Sequence, residues 1–168
     1  MASNEGRPLR NARPNVKTIQ TQYQGYRFRS RLEARWAIFF DALCIQWEYE
    51  PEEFELASGA RIAPTFWLPF RSGSGYWVDT PPVYVDHAAR KDALKELATE
   101  SGHHAYLIDG SPAKNVPTYR LPYQLVRGSS LSSLFNFVTL FTAPDKLDKA
   151  LVASRAVHFE FGESGAGE

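Results

Sequence analysis

The sequence predicts one α+β domain in which a helix feeds a run of short strands, and three observations carry that prediction. A chain of 168 residues with 43% hydrophobic content is enough for a single globular domain with a sizeable core. Within it, Leu32, Trp36, Phe40 and Leu43 recur at helical spacing, directly behind a Ser30-x-x-Glu33 pattern that reads as a capping box. After that helix the period changes to two, with Ile45, Trp47 and Tyr49 alternating against Gln46, Glu48 and Glu50.

The elements follow in order. Residues 1–22 are polar and carry Arg7, Arg10, Arg13 and Lys17 with two prolines, which reads as a flexible basic arm. It is either a solvated tail or a segment that touches phosphates or an acidic partner. Residues 23–163 form the domain, and the Gly/Ser-containing residues 164–168 form a disordered tail. Phe54 and Leu56 continue the strand alternation, Ser58-Gly59 marks a turn, and Arg61–Trp67 is the next strand, demoted to an edge or bulge by Pro64. Arg71 to Gly75 is a hairpin connection leading to a strand over Tyr76–Asp79.

The Pro81-Pro82 pair stops that strand. Asp86 then caps a helix over His87–Ser101, with Ala89, Leu94, Leu97 and Ala98 inward and Gly102 as its stop. A buried strand over His104–Ile108 returns to the sheet. The segment from Asn115 to Val126 gives no clear pattern, and Ser129–Thr142, apolar with serines, reads as a helix. Thr142 and Asp145 around Pro144 open a last helix lined by Leu147, Ala150, Leu151, Ser154 and Val157.

Composition removes several classes. Nineteen basic side chains balance nineteen acidic ones, so no global field draws the chain to nucleic acid or membrane. The single cysteine, Cys44, rules out an intrachain disulfide framework and a cysteine-rich zinc site, and it reads as a small buried hydrophobe. His87, His103 and His104 lack zinc-ligand spacing and read as surface residues or caps. No signal-peptide pattern or bilayer-length apolar run is present, so the expectation is a cytoplasmic or phage-borne protein with no membrane partner. Arg27, Arg29, Arg31 and Arg35, interleaved with Tyr23 and Tyr26, are the best nucleic-acid signal in the chain.

Four blocks of residues carry a family resemblance: Tyr26-Arg27-Phe28-Arg29-Ser30-Arg31-Leu32-Glu33-Ala34-Arg35-Trp36-Ala37; Trp47-Glu48-Tyr49-Glu50-Pro51-Glu52; Ile62-Ala63-Pro64-Thr65-Phe66-Trp67-Leu68-Pro69; and Trp77-Val78-Asp79-Thr80-Pro81. With the closing Arg155 to Glu163, they resemble the small PD-(D/E)XK nuclease-like proteins of phages and actinobacteria. The resemblance covers roughly Tyr23 to Glu163 and implies a restriction-endonuclease-like core, a central mixed sheet flanked by helices.

It also implies a site. In active members a helix Glu, the Asp of the P-D motif and the Glu of E-x-K hold a divalent metal beside a lysine. Glu33 matches the first. The P-D aspartate falls on Thr65, the E-x-K glutamate becomes Asp79, and the lysine falls on Pro81. Mg²⁺ wants anionic oxygens in near-octahedral geometry, whereas threonine offers a neutral hydroxyl and proline no amine.

The resemblance therefore implies a degenerate site with no cofactor. Were the site still active, Glu33 and Asp79 would bind Mg²⁺, and Lys91 would serve as a lysine migrated to the second helix. Glu48, Glu50 and Asp86 are further groups that could reach the same pocket. Three readings follow: a non-cleaving protein that binds DNA through Arg27, Arg29, Arg31 and Arg35, a metal-dependent DNA endonuclease with a rearranged site, or a phage structural or accessory subunit that binds a protein partner. Oligomeric state is not encoded in any pattern of the sequence.

Overall fold

The computed structural model describes residues 21–82, 85–121, 130–133 and 143–157. A short hairpin, β1 (Thr21–Tyr23) and β2 (Tyr26–Phe28), leads into α1 (Arg31–Ala42). Then come β3 (Glu48–Tyr49), β4 (Phe54–Glu55), β5 (Arg61–Ile62), β6 (Phe66–Pro69), β7 (Gly75–Asp79), α2 (His87–Ser101), β8 (Ala105–Ile108), β9 (Pro117–Leu121), β10 (Ser130–Ser133) and α3 (Pro144–Ala156).

Six strands form one mixed sheet in the order β10-β9-β8-β7-β6-β3, while β4 and β5 pair in a separate hairpin. β6 and β7 are antiparallel, and β7 and β8 are parallel, joined by α2 as the crossover. The sheet is covered on both faces. Val78, Tyr106 and Ile108 pack with Trp36, Phe40, Leu147 and Ala150 of α1 and α3. The alternate residues Trp77, Ala105 and Leu107 pack with Leu94, Leu97 and Ala98 of α2. All four residues of β8 are buried, as a parallel strand between two helical layers requires.

The helix ends follow from their residues. Ser30 Oγ accepts from the Glu33 N–H at 3.2 Å, as the capping pattern predicts. The Glu33 carboxylate reaches past Ser30 and accepts from the N–H of Arg29 at 2.9 Å. At the other end, Ile45 N–H donates to Phe40 O and Cys44 N–H to Asp41 O, both at 2.9 Å, which is a Schellman motif. Its left-handed position, φ 58°, is occupied by Cys44 rather than glycine. Cys44 is exposed, contrary to the expectation that it is buried, and it sits in the turn beyond the last residue of α1. Asp86 caps α2 through Ala88 and Ala89, and Gly102 ends it with φ 70°.

Several sequence expectations are corrected. Ala89 is exposed, and the buried residues of α2 are Leu94, Leu97 and Ala98. Arg61–Trp67 is two strands, interrupted at Ala63–Thr65 around Pro64, and Ile45–Trp47 lies outside β3. Residues 130–133 are a strand paired with β9, where a helix was expected. The rest of that segment, including Phe135, Phe137 and Phe141, lies outside the described residues, as do Thr142, the tail and most of the basic arm. The described chain begins at Thr21 with β1, two residues inside the segment assigned to the arm. Among the described residues, no helix is long and apolar enough to cross a membrane.

Candidate functional site

The antiparallel register between β6 and β7 sets Phe66 opposite Val78, so one step further Thr65 stands opposite Asp79 at the end of β7. Pro81 and Pro82 then end the strand. The N-terminal half of α2 passes over this corner, and Ser30 and Glu33 of the α1 start close it from the other side. The result is a cavity of about 230 Å³ whose walls include Glu33, Glu50, Thr65, Asp79, Pro81 and Arg90. Glu33, Thr65, Asp79 and Pro81, the four positions singled out by motif, therefore meet in one place. Arg29 joins them at the rim.

Asp79 is fully buried. Its Oδ1 accepts from the Thr65 N–H at 3.2 Å and the Thr65 hydroxyl at 3.1 Å. The Thr65 oxygen in turn accepts from the Thr80 N–H at 3.1 Å. The main partner is Arg90, whose Nε lies 2.6 Å from Oδ2 and whose Nη2 lies 2.8 Å from Oδ1. That is a bidentate, charge-assisted pair. The same Nη2 donates to the carbonyl of Ala63 at 2.7 Å, tying α2 to the break between β5 and β6. Burial opposes the charge on Arg90, but the hydrogen bonds and charge of Asp79 outweigh it and hold the guanidinium above its ordinary value.

Glu33 sits 5% exposed on the opposite wall. Its Oε2 accepts from the Tyr49 hydroxyl at 2.8 Å and from the Arg29 N–H at 2.9 Å. Burial pushes its carboxyl above the ordinary carboxylate range, an effect these hydrogen bonds only partly offset. The Tyr49 hydroxyl is pushed up as well, first by burial and further by its bond to Glu33. At the rim, Arg29 Nε pairs with Glu50 Oε1 at 2.9 Å.

Lys91 is not brought to this cavity. Its Nζ lies 3.2 Å from the centroid of the Tyr119 ring, a cation–π contact on β9. The cation of α2 that does reach the cavity is its neighbour Arg90, which sequence reasoning missed. Adjacent helix positions differ by about 100° in direction, so only one of the pair can face the sheet corner. The four arginines separate similarly. Arg27 is exposed on β2, Arg29 is ion-paired, and Arg31 and Arg35 are half-buried on the first turns of α1.

The residues present do not fit a divalent metal. Both Asp79 oxygens face the Arg90 fork, Thr65 is a donor to Asp79, and Pro81 supplies no amine. Among the described residues, no three His, Cys, Asp or Glu side chains converge in a way that could hold a metal ion. What the arrangement can do chemically is hold one fixed positive charge beside Asp79 and one proton-prone carboxyl at Glu33. No known family model matches the chain, and no curated protein matches it significantly.

Proposed function

We propose that this chain is a degenerate PD-(D/E)XK nuclease-fold protein that binds DNA or a partner protein, in a phage or mobile-element context, without cutting. The observation that carries this reading is the Arg90–Asp79 pair. A guanidinium is clamped on the carboxylate that a working site would turn toward a metal. An arginine is charged at every physiological pH and cannot act as the base that a lysine could become. The mixed sheet between helical layers, with Glu33, Thr65, Asp79 and Pro81 at one corner, supports a restriction-endonuclease-like core. DNA is the first ligand to test, since the stretch from β2 through the start of α1 carries four arginines with Arg29 at the cavity rim.

The second reading, an endonuclease with a rearranged site, has one observation on its side: Glu33, Glu50 and Asp79 line the same cavity. A cleavage assay on plasmid, linear and branched DNA separates the two, with Mg²⁺ and then Mn²⁺, beside Glu33→Ala. The expected result is no cutting by folded wild-type protein. Metal-dependent cutting that disappears in Glu33→Ala would establish the second reading instead. Absence of DNA binding at low salt would leave the protein-partner form of the first.

A further inference from the structure

At the opposite end of the sheet edge lies a larger, more open depression of about 480 Å³, lined by Tyr26, Asp41, Cys44, Trp47 and Glu48 among others. Its geometry is built rather than incidental. The Asp41 carboxylate accepts from the Tyr23 hydroxyl and from the Trp47 indole N–H, both at 2.8 Å. The second bond holds the indole edge, and the first anchors the carboxylate that holds it. Tyr26 lies against it with ring centroids 4.9 Å apart, and with 44% exposure Tyr26 is among the most exposed large hydrophobic residues described. Exposed Tyr26 and half-buried Trp47 thus stand beside an anchored carboxylate and the exposed Glu48.

The charges have one sign. Among the described residues, Asp41 and Glu48 are the ionisable lining groups besides Tyr26 and Cys44, and no described lysine or arginine lines the depression. Aromatic faces and carboxylates together attract an organic cation, the faces through their quadrupole and the carboxylates through their charge. A second depression of about 390 Å³ shares Cys44, Ile45, Gln46 and Pro69 with the first and ends at exposed Arg71. Together they run beside β3, the edge strand of the main sheet. A surface that is long, one-sided in charge at its aromatic end and adjacent to a strand edge suits an extended peptide.

We propose that this groove docks an extended, basic segment of a partner protein, seating an arginine or lysine side chain over Tyr26 and Trp47 between Asp41 and Glu48. The site is independent of the cavity around Asp79 and does not rest on the nuclease-fold reading.

The test uses the full chain and a short Gly/Ser peptide carrying arginines, with a matched peptide carrying glutamates. Two readouts report position: the Trp47 indole N–H resonance, assigned with Trp47→Phe, and the alkylation rate of Cys44, which lines the same groove. The arginine peptide is expected to shift the Trp47 resonance saturably and to slow Cys44 alkylation several-fold, while the glutamate peptide does neither. Tyr26→Ala and Glu48→Lys, both at exposed positions and checked for a dispersed spectrum, are each expected to weaken the arginine peptide about ten-fold, ~1.4 kcal/mol. No shift of Trp47 at millimolar peptide, or shifts that survive both substitutions, would overturn the proposal.

Discussion

Replacing Arg90 by alanine leaves the Asp79 carboxylate, whose side chain is 1% exposed, without its cation. Removing one partner of a buried pair is costly because the other charge stays behind, and the partial exposure of Arg90 places the loss at about 3 kcal/mol. Urea denaturation of Arg90→Ala should show a lower midpoint at unchanged slope, and Asp79→Asn combined with Arg90→Gln should recover part of the loss. An Arg90→Ala protein as stable as wild type would mean that the pair does not organise the corner. Glu33 yields a prediction in pH. Its carboxyl lies above the ordinary value of 4.5, chiefly through burial. The folded protein therefore binds this proton more tightly than the unfolded chain, so its contribution to stability falls as pH rises from about 4.5 through the folded value. Glu33→Gln keeps an acceptor for Tyr49 and the Arg29 N–H but removes the charge. The stability of the variant relative to wild type should thus increase with pH across that window and then level off. A difference that is flat with pH would remove burial as the controlling cause. At this scale the sequence was half legible: the motif located Glu33 and Asp79, but Arg90 beside Lys91 carries no local mark. Which of two adjacent cations faces the sheet depends on how α2 docks, and that is a tertiary fact.

The ends of α1 and α2 were legible because a cap is local chemistry: Ser30, Asp86 and Gly102 each act within a few residues of themselves. Strands were less so. The pairing that makes residues 130–133 a strand comes from β9, and β propensity is largely a statement about such neighbours. Likewise Pro64 marked a disruption, but not that the two halves would join different sheets. One element carries an unresolved conflict between sequence and geometry. The Schellman turn after α1 needs a left-handed residue and holds Cys44 at φ 58°. A left-handed L-residue costs roughly 1–2 kcal/mol, part of which glycine gives back as unfolded-state entropy. Cys44→Gly should therefore stabilise the protein by about 1 kcal/mol, read as a higher denaturation midpoint. Unchanged or lower stability would mean that the Cys44 side chain makes up the strain through its contacts in the groove.

For the molecule as a whole, charge decides how DNA could be held. The chain has formal net charge +0, so any attraction must come from a local patch. The patch proposed for it is Arg27 on β2, Arg29 in the link to α1, and Arg31 and Arg35 on α1, and Arg29 is already paired with Glu50. Each phosphate neutralised contributes about −0.9 to the slope of log affinity against log salt, so contact through this patch limits the slope to roughly −2 to −4. Fluorescence anisotropy with a short duplex across a salt series measures it directly. Arg27→Glu, at an exposed position, should lower DNA affinity without moving the melting temperature. Because a fixed guanidinium stands beside Asp79, Mg²⁺ should weaken binding only as any salt does, with no optimum concentration. A slope much steeper than this range would require cations beyond β2 and α1, which the basic arm could supply. A Mg²⁺ optimum would require carboxylates that the Arg90 fork leaves available, and the cavity would then have to be read again as a metal site.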